Sequence, residues 1–154
     1  MERNIINELG SLALATRLKN LSDRLAKDVA QIYKESDFDF EPRWFAVFYS
    51  LKDGNELAVM ELSSMLQQSH PAVNQVANVL VKKGLVVERK DKLDQRKRLL
   101  KLSKKGLQLA ADMEPLWAKI KEANDQLLRQ SKNILASLEA VENALDKKSI
   151  KERL

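Results

Sequence analysis

The sequence predicts a mainly α-helical chain with one small β-hairpin, an α+β arrangement in which long helices at both ends flank a compact middle. Three observations predict it. Apolar residues recur at helical spacing over residues 4–34 and again from about residue 104 onward. Two short helical patterns separated by a tight gap occupy residues 59–82, and two strand patterns around a polar loop follow at once. At 154 residues the chain supports one core, so a single domain over 1–154 is expected, with 1–35 and 104–154 as helical extensions and 55–103 as the middle.

Composition excludes several kinds of chemistry. There is no cysteine, which removes disulfides, thiolate metal ligands and thiol switches, and a single His70 cannot build a zinc site, so no cofactor is expected. The apolar runs are too short to span a bilayer, and Met1 to Glu8 carry charges of both signs without an apolar stretch, which points to the cytoplasm and away from membranes. The net charge of +5 is unevenly placed. Lys82 to Lys105 holds eleven basic residues against three acidic ones, so this block carries +8 and the rest of the chain −3. A positive block on a slightly acidic body suits a polyanion, because each Lys or Arg set on a phosphate releases condensed counterions.

Taken in order, Ile5, Ile6, Leu9, Leu12, Ala13, Thr16, Leu21, Leu25, Val29 and Ile32 describe one amphipathic helix over 4–34, bent near Gly10. Asp37 to Phe40 break the pattern. Pro42, at home in a first helical turn, opens a short helix through Leu51 that Asp53-Gly54 ends. The clustered rings of Phe38, Phe40, Trp44, Phe45 and Phe48 read as core or as a pocket wall. A helix from about Val59 to Leu66 has Leu62, Met65 and Leu66 as its apolar positions. The next begins after Ser69, a good N-cap, and turns inward Val73, Val76, Ala77, Leu80 and Val81.

That spacing is helix-turn-helix. It leaves His70, Pro71, Ala72, Asn74, Gln75, Asn78 and Lys82 on the leading or outward edge of the second helix, where Asn and Gln amides can donate and accept together, the pairing adenine offers in the major groove. Lys83-Gly84 stops the helix, and strands Leu85–Lys90 and Arg98–Leu102 enclose the loop Asp91 to Lys97. The order makes the hairpin a wing. It sets Lys90, Lys92, Arg96 and Lys97 beyond the end of the second helix, within reach of an adjacent minor groove of double-stranded DNA. Ser103 caps a further helix with Leu107, Leu109, Ala110, Met113, Leu116, Trp117, Ile120, Ala123, Leu127 and Leu128 on one face and a bend expected at Pro115. A last segment places Ile134, Leu135, Leu138, Val141, Leu145 and Ile150 at spacings of three and four. One small winged core cannot cover these terminal faces, so a homodimer is expected.

The run Asp94-Gln95-Arg96-Lys97-Arg98-Leu99-Leu100-Lys101-Leu102-Ser103-Lys104-Lys105-Gly106 resembles the wing of the MarR (multiple antibiotic resistance regulator) family: Asp-x-Arg, a strand, a Ser or Thr cap, and a helix with Gly in its first turn. Lys82-Lys83-Gly84-Leu85-Val86 resembles that family's junction between recognition helix and wing. The resemblance implies that Arg96 is the wing-tip arginine of the minor groove and that Asp94 holds the wing's conformation. Two departures stand out, Ala58 where members often cap the first helix of the motif with Ser or Thr, and Gln67 where many have Gly in the turn. Leu9 to Ala15, Phe40 to Phe45 and Ser69 to Val73 also resemble a subgroup in which such a module precedes an acetyltransferase domain. By that likeness the chain is a stand-alone relative or a separated module, and acetyl transfer is not assigned to it.

In the family resembled, effectors bind between the dimerisation helices and the winged domain. The resemblance therefore places Phe40, Trp44, Phe45 and Phe48 beside a site for a small aromatic or anionic effector, with Arg17 and Arg43 as anion partners, while core filling remains the plainer role for each ring. The function expected is a ligand-responsive repressor that binds duplex DNA sequence-specifically. A winged helix used for protein interaction is the alternative. Catalysis is disfavoured: no nucleophile–base pair or glycine-rich phosphate loop is evident, and Asp37 and Asp39 read as a solvated turn.

Overall fold

At Gly10 the backbone takes φ +56°, from which a right-handed helix cannot continue, so the helix expected over 4–34 is broken there and not merely bent. In this computed structural model residues 4–154 are described, so the part of the N-terminal extension expected over 1–3 lies outside them. Helix α1 (Ile5–Glu8) is capped by Asn4, whose side chain accepts from Asn7 N at 3.2 Å. A 3-10 turn (Gly10–Ala13) leads into α2 (Leu14–Glu35). Pro42 heads a second 3-10 turn (Pro42–Trp44), where its missing N–H costs nothing, and α3 (Phe45–Ser50) follows.

The middle of the chain holds β1 (Leu57–Ala58), α4 (Val59–Leu66), α5 (His70–Lys82), β2 (Val86–Lys90) and β3 (Arg98–Leu102). The expected hairpin is part of a three-stranded antiparallel sheet ordered β1-β3-β2, with Leu57 opposite Leu100 and Val86 opposite Leu102. Strand β1 was not expected, since two residues carry no periodicity. The chain divides into two compact units, Met1–Asp112 and Met113–Leu154. In the first, Tyr33, Trp44, Val47, Phe48, Leu51, Leu62, Val73, Leu80, Val86 and Leu100 are almost wholly buried. Each such side chain contributes about 1.5–3 kcal/mol. The second holds the rest of α6 (Lys104–Leu128), which runs through Pro115 as one helix, and α7 (Ile134–Lys147). Leu127, Leu135, Val141, Leu145 and Ile150 are exposed there. No helix among the described residues is long and apolar enough to cross a membrane.

Candidate nucleic-acid interface

The α4–α5 turn is built despite two unfavourable residues. Ala58 stands at the N-cap of α4 without a side-chain acceptor, and the Glu61 carboxylate supplies the reciprocal bond alone, accepting from Ala58 N at 2.6 Å. Gln67 adopts the left-handed conformation (φ 51°, ψ 39°) that glycine enters without strain. Buried Ser63 closes the turn: its hydroxyl donates to Gln68 O at 2.5 Å and its carbonyl accepts from Gln68 N at 3.0 Å. Ser69 then caps α5, accepting from Ala72 N at 3.3 Å, and Pro71 occupies the first turn.

Burial of Val73, Ala77 and Leu80 fixes how α5 is rotated. Its other side presents His70, Pro71, Ala72, Gln75, Asn78 and Lys82 to solvent, with Asn74 half-buried. These residues form one continuous edge. Asn74 differs from its neighbours because its Oδ1 accepts from Arg98 Nη1 at 3.1 Å.

Beyond that edge the loop between β2 and β3 is fastened by two carboxylates. Asp91 Oδ1 accepts from Leu93 N at 2.7 Å and Asp94 N at 3.3 Å; Asp94 Oδ1 accepts from Arg96 N at 3.0 Å and Arg96 Nε at 3.2 Å. The backbone bonds, the Leu93 N–H foremost, lower the Asp91 pKa below its ordinary value, with Lys97 and Arg89 adding to the effect. Asp91 was not singled out from sequence, although an Asp two residues before an unpaired N–H is an Asx-turn signal. Lys90, Lys92, Arg96 and Lys97 stand exposed, the Arg96 side chain at 92%.

Four other cations of the basic block serve the fold. Arg89 donates from Nε and Nη2 to Glu56 at 3.0 and 2.5 Å, Arg98 pairs with Glu88, Lys83 Nζ reaches Asp39 at 2.6 Å, and Lys105 Nζ donates to Lys83 O at 3.0 Å. None of these four is among the expected DNA-facing residues. The hairpin's root is closed by backbone: Ser103 N donates to Leu85 O at 3.0 Å, and the Ser103 hydroxyl donates to Gly84 O at 2.6 Å while accepting from Gly106 N at 3.0 Å. A Cβ at Gly106 would lie 2.1 Å from Leu85 O, so this approach requires glycine.

Of the residues expected around an effector, Phe40, Trp44 and Phe48 come together but as packed rings. Phe40 meets Tyr33, Trp44 and Phe48 edge-on at centroid distances of 5.3, 5.5 and 5.1 Å, and the exposures of Phe40, Trp44 and Phe48 are 5%, 1% and 0%. Arg17 is exposed on α2, and Arg43 is exposed and donates to Glu41 at 2.5 Å. Trp44 Nε1 is buried without a hydrogen-bond partner among the described residues, and Lys83 Nζ lies 5.2 Å from the Trp44 ring centre. A nearby cleft of about 350 Å³ is lined by Asp37, Phe38, Asp39, Lys83, Leu85, Lys105 and Leu109.

A helix-turn-helix followed by a hairpin whose loop cations face solvent defines the class: this is the winged helix fold of MarR regulators. The sequence model described as MarR family matches residues 38–97, from the approach to α3 through the wing loop. Among curated proteins none matches the sequence. NMB1585, a MarR family regulator from Neisseria meningitidis, superposes with a TM-score of 0.63 at 24% identity over 99% of this chain and 100% of that one. A mutant MarR from E. coli complexed with operator DNA gives a TM-score of 0.66 at 22% identity, covering 93% and 99% of the two chains. NadR in complex with 4-hydroxyphenylacetate gives 0.60 at 20% identity, covering 88% and 93%.

Proposed function

We propose that this chain is a MarR-family transcriptional regulator, a homodimer that binds duplex DNA sequence-specifically and represses transcription until a small aromatic or anionic effector binds. The observation that carries this is the single exposed edge formed by α5 and the wing loop, on which Lys82, Lys90, Lys92 and Lys97 face solvent and Arg96, bonded to Asp94, stays 92% exposed. In this reading α5 enters a major groove: Ser69 fixes its start, His70, Asn74, Gln75 and Asn78 face base edges, and Pro71, Ala72 and Lys82 line the approach. Lys90, Lys92, Arg96 and Lys97 take the phosphates and the adjacent minor groove, with Asp94 ordering Arg96; a planar, permanently charged guanidinium suits a narrow, negative groove. In this reading the protein works in the cytoplasm.

Dimerisation is supported by Leu14, Leu18, Leu21 and Leu25, a stripe at spacings of four, three and four along α2 with each side chain about two-fifths or more exposed, and by the exposed apolar residues of α7. The effector reading is supported by the unpartnered Trp44 N–H, by the cleft that Lys83 and Lys105 line together with Asp37 and Asp39, and by the 4-hydroxyphenylacetate bound to NadR. In this reading Arg17 and Arg43 are the anion partners and Phe40, Trp44 and Phe48 the packed rings beside the site, while Lys83, paired with Asp39, and Lys105 border the cleft. An effector weakens DNA binding by as much as its own affinity differs between the two dimer geometries, because the recognition helices must stand about 34 Å apart to grip successive major grooves.

Selection of genomic fragments by the purified full chain tests the reading: recovery of a shared inverted repeat is the expected result, and recovery of no common sequence removes it. Sedimentation of the intact chain at micromolar concentration should give a dimer, and deletion of residues 131–154 should shift it toward monomer; a stable monomer of the intact chain would contradict the assembly. Salicylate-like acids should change Trp fluorescence and operator affinity together. A fluorescence change with unaltered affinity would retain a pocket and remove the switch.

A further inference from the structure

Asn74 and Gln75 are neighbours on the outward edge of α5, yet only the Asn74 amide is held in one orientation by a partner. Arg98, the first residue of β3, donates from Nη1 to Asn74 Oδ1 at 3.1 Å and from Nε to Glu88 on β2. A guanidinium carries five donors and no acceptor, so the Asn74 amide cannot reverse: its oxygen is turned toward Arg98, and its NH₂ is the end turned away from it. An asparagine orientation that is ordinarily ambiguous is here set by its partner. The clasp is also sheltered, since the Arg98 side chain is 25% exposed and is held on its other side by Glu88. Gln75 is exposed, and its side chain makes no hydrogen bond among the described residues.

We propose that Asn74 is a donor-only base reader that selects guanine, and that Arg98 is the positioning residue that makes it so; this rests on the DNA-binding reading above. A free asparagine amide suits adenine, accepting from N6 and donating to N7. With its oxygen turned toward Arg98, the amide presents its NH₂ outward and would set those protons against the N6 protons of adenine, a repulsive pairing. Guanine presents two neighbouring acceptors, O6 and N7, to those same two protons. Gln75, with both amide ends available, keeps the adenine pairing. Two amides one residue apart thus read different bases, and the difference is imposed by a wing residue.

The test is selection from a randomised duplex library by the full-length wild type and by Asn74→Ala, Asn74→Asp and Arg98→Met. Thermal melting and affinity for random duplex confirm that each variant is folded. The wild-type motif should hold one guanine position per half-site, favoured roughly tenfold, that becomes degenerate in Asn74→Ala. In Arg98→Met the same position should move from guanine to adenine. Asn74→Asp keeps a partner for Arg98 but offers no proton, so it should reject guanine. A position lost in Asn74→Ala that reads a base other than guanine in the wild type would overturn the inference, as would a guanine unmoved in Arg98→Met or retained in Asn74→Asp. A library yielding no motif for the wild type would instead remove the sequence-specific reading on which the inference rests.

Discussion

The two ends of the β2–β3 hairpin are held by different forces. At the root, Leu85 O sits where any side chain at position 106 would be, and Ser103 ties Gly84, Leu85 and Gly106 together through backbone atoms. At the tip, Asp91 and Asp94 gather the backbone N–H groups of an exposed loop and leave Lys92 and Lys97 free in solvent. The root depends on close packing, which neither salt nor pH disturbs. The tip depends on carboxylates, and through Asp91 its shape responds to pH while the root's position does not.

Breaking the root should have the largest effect. Gly106→Ala forces a methyl group onto a backbone oxygen, and a loss of about 3 kcal/mol is expected, read as a large drop in Tm. Gly84→Ala sharpens the point: its Cβ would meet nothing within 4 Å, and only the strain of φ +71°, about 1 kcal/mol, should be felt. Equal losses at the two positions would show that contact with Leu85 O is not what holds the root.

At the tip, Arg96→Ala should leave Tm unchanged and lower affinity for specific and random duplex alike by roughly tenfold. A loss confined to the specific site would make Arg96 a base reader instead. Asp91→Ala should cost a smaller, few-fold loss of DNA affinity. Because the folded loop favours ionised Asp91, its hold is complete above the ordinary carboxylate range and is lost as pH falls through its lowered value. As pH falls below the ordinary carboxylate range, the protection of the Leu93 and Asp94 amides in the wild type, relative to their intrinsic exchange rates, should therefore decline toward that in Asp91→Ala. No change in their relative protection across that range would remove Asp91 as the clamp. The smallest effect is a gain: Gln67→Gly should relieve the left-handed turn and stabilise the fold by about 0.5–1 kcal/mol in denaturant titration.

The parts legible in sequence are those whose signal is local. Helix α4 starts and ends where its apolar spacing does, α5 opens after Ser69 as expected, and β3 spans Arg98–Leu102, because a 3.6-residue period gives way to alternation across Gly84. What escaped depends on partners far away in the chain. Strand β1 exists through its pairing with β3, Arg89 is held by Glu56 thirty-three residues before it, and Asn74 is distinguished from Gln75 only by Arg98, twenty-four residues on. Ring spacing could not separate core from pocket wall either; Phe40 at the centre of three edge-on contacts makes that distinction only in three dimensions. Gly10 was legible as a perturbation, but its positive φ turned a bend into a break.

The central claim, that the edge formed by α5 and the wing binds duplex DNA, is tested most directly by titrating the intact protein into its selected duplex at about 50 and about 200 mM salt. If the exposed cations of both protomers sit on phosphates, affinity should fall by roughly 10³-fold or more between the two, linearly on logarithmic axes. Affinity that is the same at both salt concentrations, or absent at the lower one, would contradict it.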